Sequence, residues 1–131
     1  MAELNIVIVT PELTTVEQTA DAVVLPMIDG ERGILPGHAP MIGRLAPGEL
    51  RIQSGNQTDR YYVEGGTVQI ERGGVTVMTG RSIASRDVDL VKVREQLEQA
   101  QWLKPADSQS AIEKEKTIAQ CQAQIRVAEK K

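Results

Sequence analysis

The chain has 131 residues, a formal net charge of −3 and a pI near 5.2, with 40% hydrophobic and only 2% aromatic residues. The acidic balance excludes non-specific nucleic-acid binding, which needs a basic surface to displace counterions. With no Phe the core must be aliphatic, and no apolar run reaches the roughly 18 residues of a membrane span.

Leu4 to Val9 is a β-branched run, predicted as a strand that ends at Thr10-Pro11. Asn5, Thr10, Pro11 and Glu12 interrupt this stretch too early for a secretory signal. Ala20 to Leu25 reads as a second strand, closed by Pro26. Leu50 and Ile52, Val68 and Ile70, and Val75 and Val77 then alternate with polar residues, the period-two pattern of a strand with one buried face. Ser54-Gly55-Asn56, Gly65-Gly66 and Arg72-Gly73-Gly74 stand between these runs and predict hairpin turns. Short strands at this spacing indicate a sandwich or barrel.

Composition changes near residue 85. All eleven glycines lie at or before Gly80, and every Lys lies at Lys92 or later. The trailing part is rich in Gln, Glu, Lys and Ala, which favour helix. Two units follow: an all-β part over 1–86 and an all-α part over 87–131, an α+β chain. In the second unit Leu90, Val93, Leu97, Ala100 and Lys104 share one helical stripe. Asp87 is placed to cap this helix and Asp89 adds negative charge to its first turn. Lys104-Pro105 ends it. Ser110-Ala111-Ile112-Glu113 reads as a capping box for a second helix, with Ala111, Ile118 and Ile125 recurring along it beside Cys121 and Ala128. So short a connection predicts an antiparallel hairpin.

This hairpin has few large apolar groups. Each one buried contributes about 1.5–3 kcal/mol, while ordering a backbone residue costs about 1–2 kcal/mol. Its docked state is therefore expected to be marginal, with a rearranged or partner-bound state close in free energy.

Catalytic chemistry is hard to assemble from these residues. His38 stands alone in Pro36-Gly37-His38-Ala39-Pro40, with no orienting carboxylate or nucleophile in a suggestive position. Cys121, the single cysteine, cannot form an internal disulfide. With one histidine in the chain no metal cluster is expected, and a reducing, cytoplasmic compartment is the natural setting. The glycine pairs match no phosphate loop. On pattern alone, a small hydrolase using His38 and a free-standing small-molecule-binding β-protein with a helical tail stay open beside a non-catalytic subunit.

Gly30-Glu31-Arg32-Gly33-Ile34-Leu35-Pro36-Gly37-His38-Ala39-Pro40-Met41-Ile42 and the following Leu45 to Ile52 resemble the signature loop of the epsilon subunits of F-type ATP synthases. Tyr62 to Ile70 and the ending Ile125 to Glu129 are similar as well. The resemblance implies a flattened sandwich of about ten strands and a regulatory two-helix hairpin. It implies a rotor subunit without an active site, coupling ion-driven rotation to ATP synthesis. The implied partners are the gamma subunit and the c-subunit ring, met through Glu31, Arg32, Gly33, His38, Met41 and Ile42. Alpha and beta subunits join these through Lys114, Lys116, Arg126, Lys130 and Lys131, when the hairpin extends to restrain ATP hydrolysis. The implied location is peripheral, on the cytoplasmic side of a bacterial inner membrane or on a thylakoid membrane. Some members hold ATP through hydrophobic-Asp-x-x-Arg-Ala. Asp89 is kept here, but Lys92 and Val93 replace Arg and Ala, and expected second-helix arginines fall on Gln120 and Gln124. A point-charge Lys does not reproduce the Arg fork, so no cofactor is expected.

Overall fold

A computed structural model describes residues 3–129. These form eight strands: β1 (Leu4–Val9), β2 (Thr14–Ala20), β3 (Ala22–Met27), β4 (Gly30–Ile34), β5 (Met41–Ser54), β6 (Gln57–Glu71), β7 (Gly74–Met78) and β8 (Ser82–Ala84). A turn of 3-10 helix over Ser85–Asp87 leads to α1 (Leu90–Trp102) and α2 (Ser108–Glu129).

The sheet runs β2-β1-β7-β6-β5-β3-β4, with β8 paired to β6. It closes on itself as a sandwich: Ser54, at the tip of the β5–β6 hairpin, donates its hydroxyl to the Thr19 carbonyl, and Gln18 reaches Asp59. One aliphatic core lies between the layers. It collects Leu4, Ile6 and Ile8 from β1, Val68 and Ile70 from β6 and Val75 and Val77 from β7. Leu50 and Ile52 from β5 meet them, with Val23 and Leu25 from β3. The strand alternation read from the sequence points these residues inward.

The count is eight rather than about ten because β5 and β6 are each shared by both layers. Their register continues from Met41↔Ile70 through Pro47↔Glu64 to Ser54↔Gln57. Gly65-Gly66 is therefore no hairpin turn. It is a bend inside β6, with φ of 84° and 115°, where the strand folds over between layers without ending. A Cβ on Gly66 would come 2.0 Å from the Met78 carbonyl oxygen, so only glycine fits. Gly55 and Gly73 do occupy hairpin turns, as expected.

Other expectations are revised. The run from Ala20 to Leu25 is split at Asp21 between β2 and β3, and β3 continues past Pro26 to Met27. Gly30 to Ile34 is a strand rather than loop: Glu31 pairs with Pro26, Arg32 with Leu25 and Gly33 with Val24. β4 ends the strand order and borrows its extended form from β3, which its own Gly-Glu-Arg-Gly lacks the pattern to announce.

The helix caps also shift by a turn. Asp89, not Asp87, caps α1, its carboxylate accepting from the Lys92 amide at 3.2 Å, because Asp87 is used in the preceding 3-10 turn. Asp107, not Ser110, caps α2, accepting from the Ser110 amide at 2.8 Å; that bond holds its carboxyl below the usual value. Ser110 lies inside the helix, so the expected capping box does not form.

α2 lies on β5 and β6, and α1 packs on α2. The antiparallel hairpin is tied at both ends. Arg94 meets Glu129 at 2.6 Å, and Lys114 donates to the Leu103 carbonyl at 2.8 Å.

Candidate functional site

Two surfaces of the sandwich differ in chemistry. On β5, Gly43 faces the core: a Cβ there would meet the side chains of Met27, Met41 and Val68. Strand alternation then turns Ile42 and Arg44 outward. Ile42 is 76% exposed. Across the same outer face Arg44 pairs with Thr67, and Thr67 with Met78, another exposed apolar residue. Exposed Ile28 lies beside them, its amide donating to the Arg44 carbonyl. The result is an uncovered patch of Ile28, Ile42 and Met78 around one arginine.

The opposite outer face, on the second half of β5 and the first half of β6, carries the hairpin. Tyr62 points outward there and is fully buried by Ala123 and Val127 of α2, with Ile83 and Val88 at the margin. Burial raises the Tyr62 phenol above its ordinary value, Glu64 adding to the effect. No well-formed hydrogen bond satisfies its hydroxyl, and Gln124, itself buried, offers only a weak contact. This interface is small beside the core, and none of its residues belongs to the sandwich core cluster. Nothing in the residue pattern singles out Tyr62 as the hairpin's seat beyond an aromatic residue at an outward strand position, where a polar one is usual.

The residues singled out from the sequence are not brought to one place. Glu31 reaches Arg51 at 3.0 Å, and Arg51 also pairs with buried Glu49 at 2.9 Å. Hydrogen bonding to Glu49 raises the Arg51 guanidinium above its ordinary value, against the cost of burial. Glu31 and Glu49 line a cleft of about 320 Å³ with Arg126, between sandwich and α2. Arg32 and Gly33 are exposed on β4. His38 closes the loop between β4 and β5, its amide donating to the Leu35 carbonyl and its Nδ1 lying 2.7 Å from the Ala39 carbonyl oxygen. Met41 is half-buried and packs against the core, since alternation turns it inward beside outward Ile42.

On the hairpin, Lys116 and Arg126 are exposed. Lys114 is half-buried and occupied with the Leu103 carbonyl. Lys130 and Lys131 lie outside the described residues. Asp89 spends its carboxylate on the α1 cap, while Lys92 is exposed. Gln120 and Gln124 line a cleft of about 350 Å³ with Gln96, Gln99, Glu64 and Arg81, so among the described residues a single cation faces it. Cys121 is buried on the same side, and burial raises its thiol. Among the described residues no three His, Cys, Asp or Glu side chains converge as a metal site, and no helix is long and apolar enough to cross a membrane.

Residues 3–85 match the family described as ATP synthase, Delta/Epsilon chain, beta-sandwich domain. The ATP synthase epsilon chain of Rhodopirellula baltica is 38% identical over 125 residues, covering 95% of this chain and 98% of that one. The sodium-ion-specific ATP synthase epsilon chain of Propionigenium modestum is 26% identical, covering 98% and 96%. A chain in the mitochondrial ATP synthase of Euglena gracilis shares the fold with a TM-score of 0.83 at 23% identity, covering 94% of this chain and 79% of that one.

Proposed function

The chain belongs to the ATP synthase delta/epsilon family, and we propose from that membership a division of labour between its two parts. It is a non-catalytic accessory subunit of the central stalk of an ATP synthase. Residues 1–86 dock on the stalk and rest on the membrane ring, and residues 87–131 regulate. The observation that carries this reading is the pair of opposed faces. One is an uncovered apolar patch centred on Ile42, and the other is a lightly held hairpin on Tyr62.

The patch suits a constitutive protein contact, since isolated apolar residues are common on surfaces but a contiguous group around an arginine is the composition of an interface. Its occupant in this reading is the gamma subunit. The adjoining loop at His38 and the exposed edge at Arg32 and Gly33 meet the c-subunit ring. The loop is held by the His38 amide on the Leu35 carbonyl and the edge by the pairing of β4 with β3, so little entropy is lost on docking. The subunit is then peripheral, held at the cytoplasmic side of a bacterial inner membrane through its partners. The hairpin leaves Tyr62 by breaking a small apolar contact and extends toward the alpha and beta subunits. Exposed Lys116 and Arg126 are then offered to their surfaces, restraining ATP hydrolysis. ATP is not held in this reading: among the described residues the amide-lined cleft has one arginine and no second cation to share a triphosphate's charge. Calorimetry with millimolar ATP is expected to give no heat.

The test is capture of the gamma subunit by the full chain, by a chain ending at Arg86, and by Ile42→Asp. The sandwich core contains no hairpin residue, so the truncated chain keeps its fold. Truncation is expected to retain capture and to raise ATPase activity in the reconstituted enzyme, whereas Ile42→Asp loses capture. Undiminished capture by Ile42→Asp rejects the docking face, and unchanged ATPase after truncation rejects the regulatory role.

A further inference from the structure

The outer face of α1 carries a feature that neither docking nor hairpin closure uses. Val93, Leu97 and Ala100 turn toward α2. At 3.6 residues per turn, Val91, Glu95, Glu98 and Trp102 fall on the opposite side in one line. All four are exposed, Val91 at 68% and Trp102 at 79%. Trp102 is the only tryptophan in a chain whose aromatic content is 2%. Its indole stands in water at the end of the helix, beside exposed Leu103. Glu95, Glu98, Gln99, Trp102 and Leu103 together line an open groove of about 610 Å³.

We propose that this stripe is a docking groove for a basic helix of a partner protein. Its arginine or lysine side chain lies over the Trp102 indole and is paired by Glu98 and Glu95. The groove's composition selects that occupant. An indole face attracts a cation, most strongly an arginine plane. Glu98 stands one turn before Trp102 and Glu95 one turn earlier, so both carboxylates neighbour the same site. Val91 and Leu103 add apolar ground at the two ends. A lipid surface or an acidic segment is disfavoured by two carboxylates in the middle of the stripe, and a second copy would set like charges against each other. Tryptophan and arginine are also the side chains in which binding energy concentrates at interfaces. The chemistry is opposite to that of the basic residues on α2. The hairpin therefore offers a cation-accepting face through α1 and a cation-donating one through α2.

The lone tryptophan makes the test direct, and it uses the full chain alone, independently of any synthase. An amphipathic helical peptide with two arginines one turn apart, flanked by leucines, is titrated while Trp102 emission is followed. The same peptide with glutamates replacing the arginines serves as control. A saturable change with the arginine peptide and none with the control is expected. Glu95→Gln combined with Glu98→Gln weakens binding at least tenfold, and Trp102→Ala abolishes it, read by anisotropy of a labelled peptide. These residues are exposed, so the variants keep their fold. Equal binding of both peptides, undiminished binding to the glutamine variant, or no saturation by millimolar peptide overturns the proposal. So does self-association lost with Trp102→Ala in sedimentation, or a blue shift of Trp102 on phosphatidylglycerol vesicles, since either names another occupant.

Discussion

Val127 of α2 rests against Tyr62 of β6, and this one apolar contact, extended by Ala123, is the buried centre of the joint between hairpin and sandwich. Removing part of it should loosen the joint without touching the core. Val127→Ala is expected to cost about 1.5–3 kcal/mol of docking free energy, a tenfold or greater rise in the open population. Amide hydrogen exchange checks this. α2 should lose protection while β1, β6 and β7 keep theirs. Equal losses in both would mean that the two parts open as one unit.

The Tyr62 hydroxyl gives the joint an alkaline limit. Its folded-state value is raised above the phenol's ordinary 10.0 by burial. A raised value means that the neutral form is favoured when docked. The stabilisation is fully present below pH 10 and is lost as the pH climbs from there toward the folded value. Tyr62→Phe should flatten this alkaline loss. At neutral pH the same substitution should be neutral or slightly stabilising, because it removes a buried hydroxyl with no well-formed hydrogen bond. Urea midpoints across pH 8 to 11 for both proteins would show it.

Arg51 lies between two acids of unequal worth. Glu49 is 7% exposed and Glu31 55%. Water screens the outer pair, so a double-mutant cycle with Glu31→Gln should give a coupling below about 1 kcal/mol. The cycle with Glu49→Gln should give about 1.5–3 kcal/mol, the range for a hydrogen bond to a shielded charge. A larger coupling to Glu31 would contradict the burial argument, and would also mean that Glu31 is less available to a partner than the family resemblance implies.

Glycines of the two bends should respond differently. Gly66 has φ of 115° and a carbonyl oxygen where its Cβ would go, so Gly66→Ala is expected to cost at least about 2 kcal/mol. Gly55 has φ of 60° with open space around it, a conformation that Asn tolerates, so Gly55→Asn should cost under about 1 kcal/mol. Thermal midpoints of the two variants compare directly.

These residues also mark how far the sequence could be read. Val68, Ile70, Val75 and Val77 announce their strands because one face of each is buried and the other wet, and the loss of glycine after Gly80 announces the helices. What escapes is whatever tertiary partners impose. β4 is extended because β3 is beside it. Gly65-Gly66 has the composition of a turn, and only the neighbouring strands decide that β6 resumes beyond it. Asp89 outcompetes Asp87 as a cap because the chain first makes a 3-10 turn, a choice invisible in residue types. Tyr62 is silent for the same reason: its importance lies in Ala123 and Val127, some sixty residues away. The candidate contact residues were legible as a segment but not as a surface, since alternation along β5 divides Met41 from Ile42.

The unbroken passage of β5 and β6 through both layers has a mechanical meaning for a part that turns under load. Strands of 14 and 15 residues, each roughly 50 Å of chain, are zipped to one another from Met41↔Ile70 to Ser54↔Gln57 with one step missed at the bend, between Leu45↔Gly66 and Pro47↔Glu64. A twist applied at the Ile42 end reaches the Tyr62 end through a ladder of backbone bonds strained along their row. It does not have to cross a greasy seam that could creep. Such a body yields by breaking many bonds together, and so it behaves as a stiff wedge up to a sharp limit rather than as a compliant cushion.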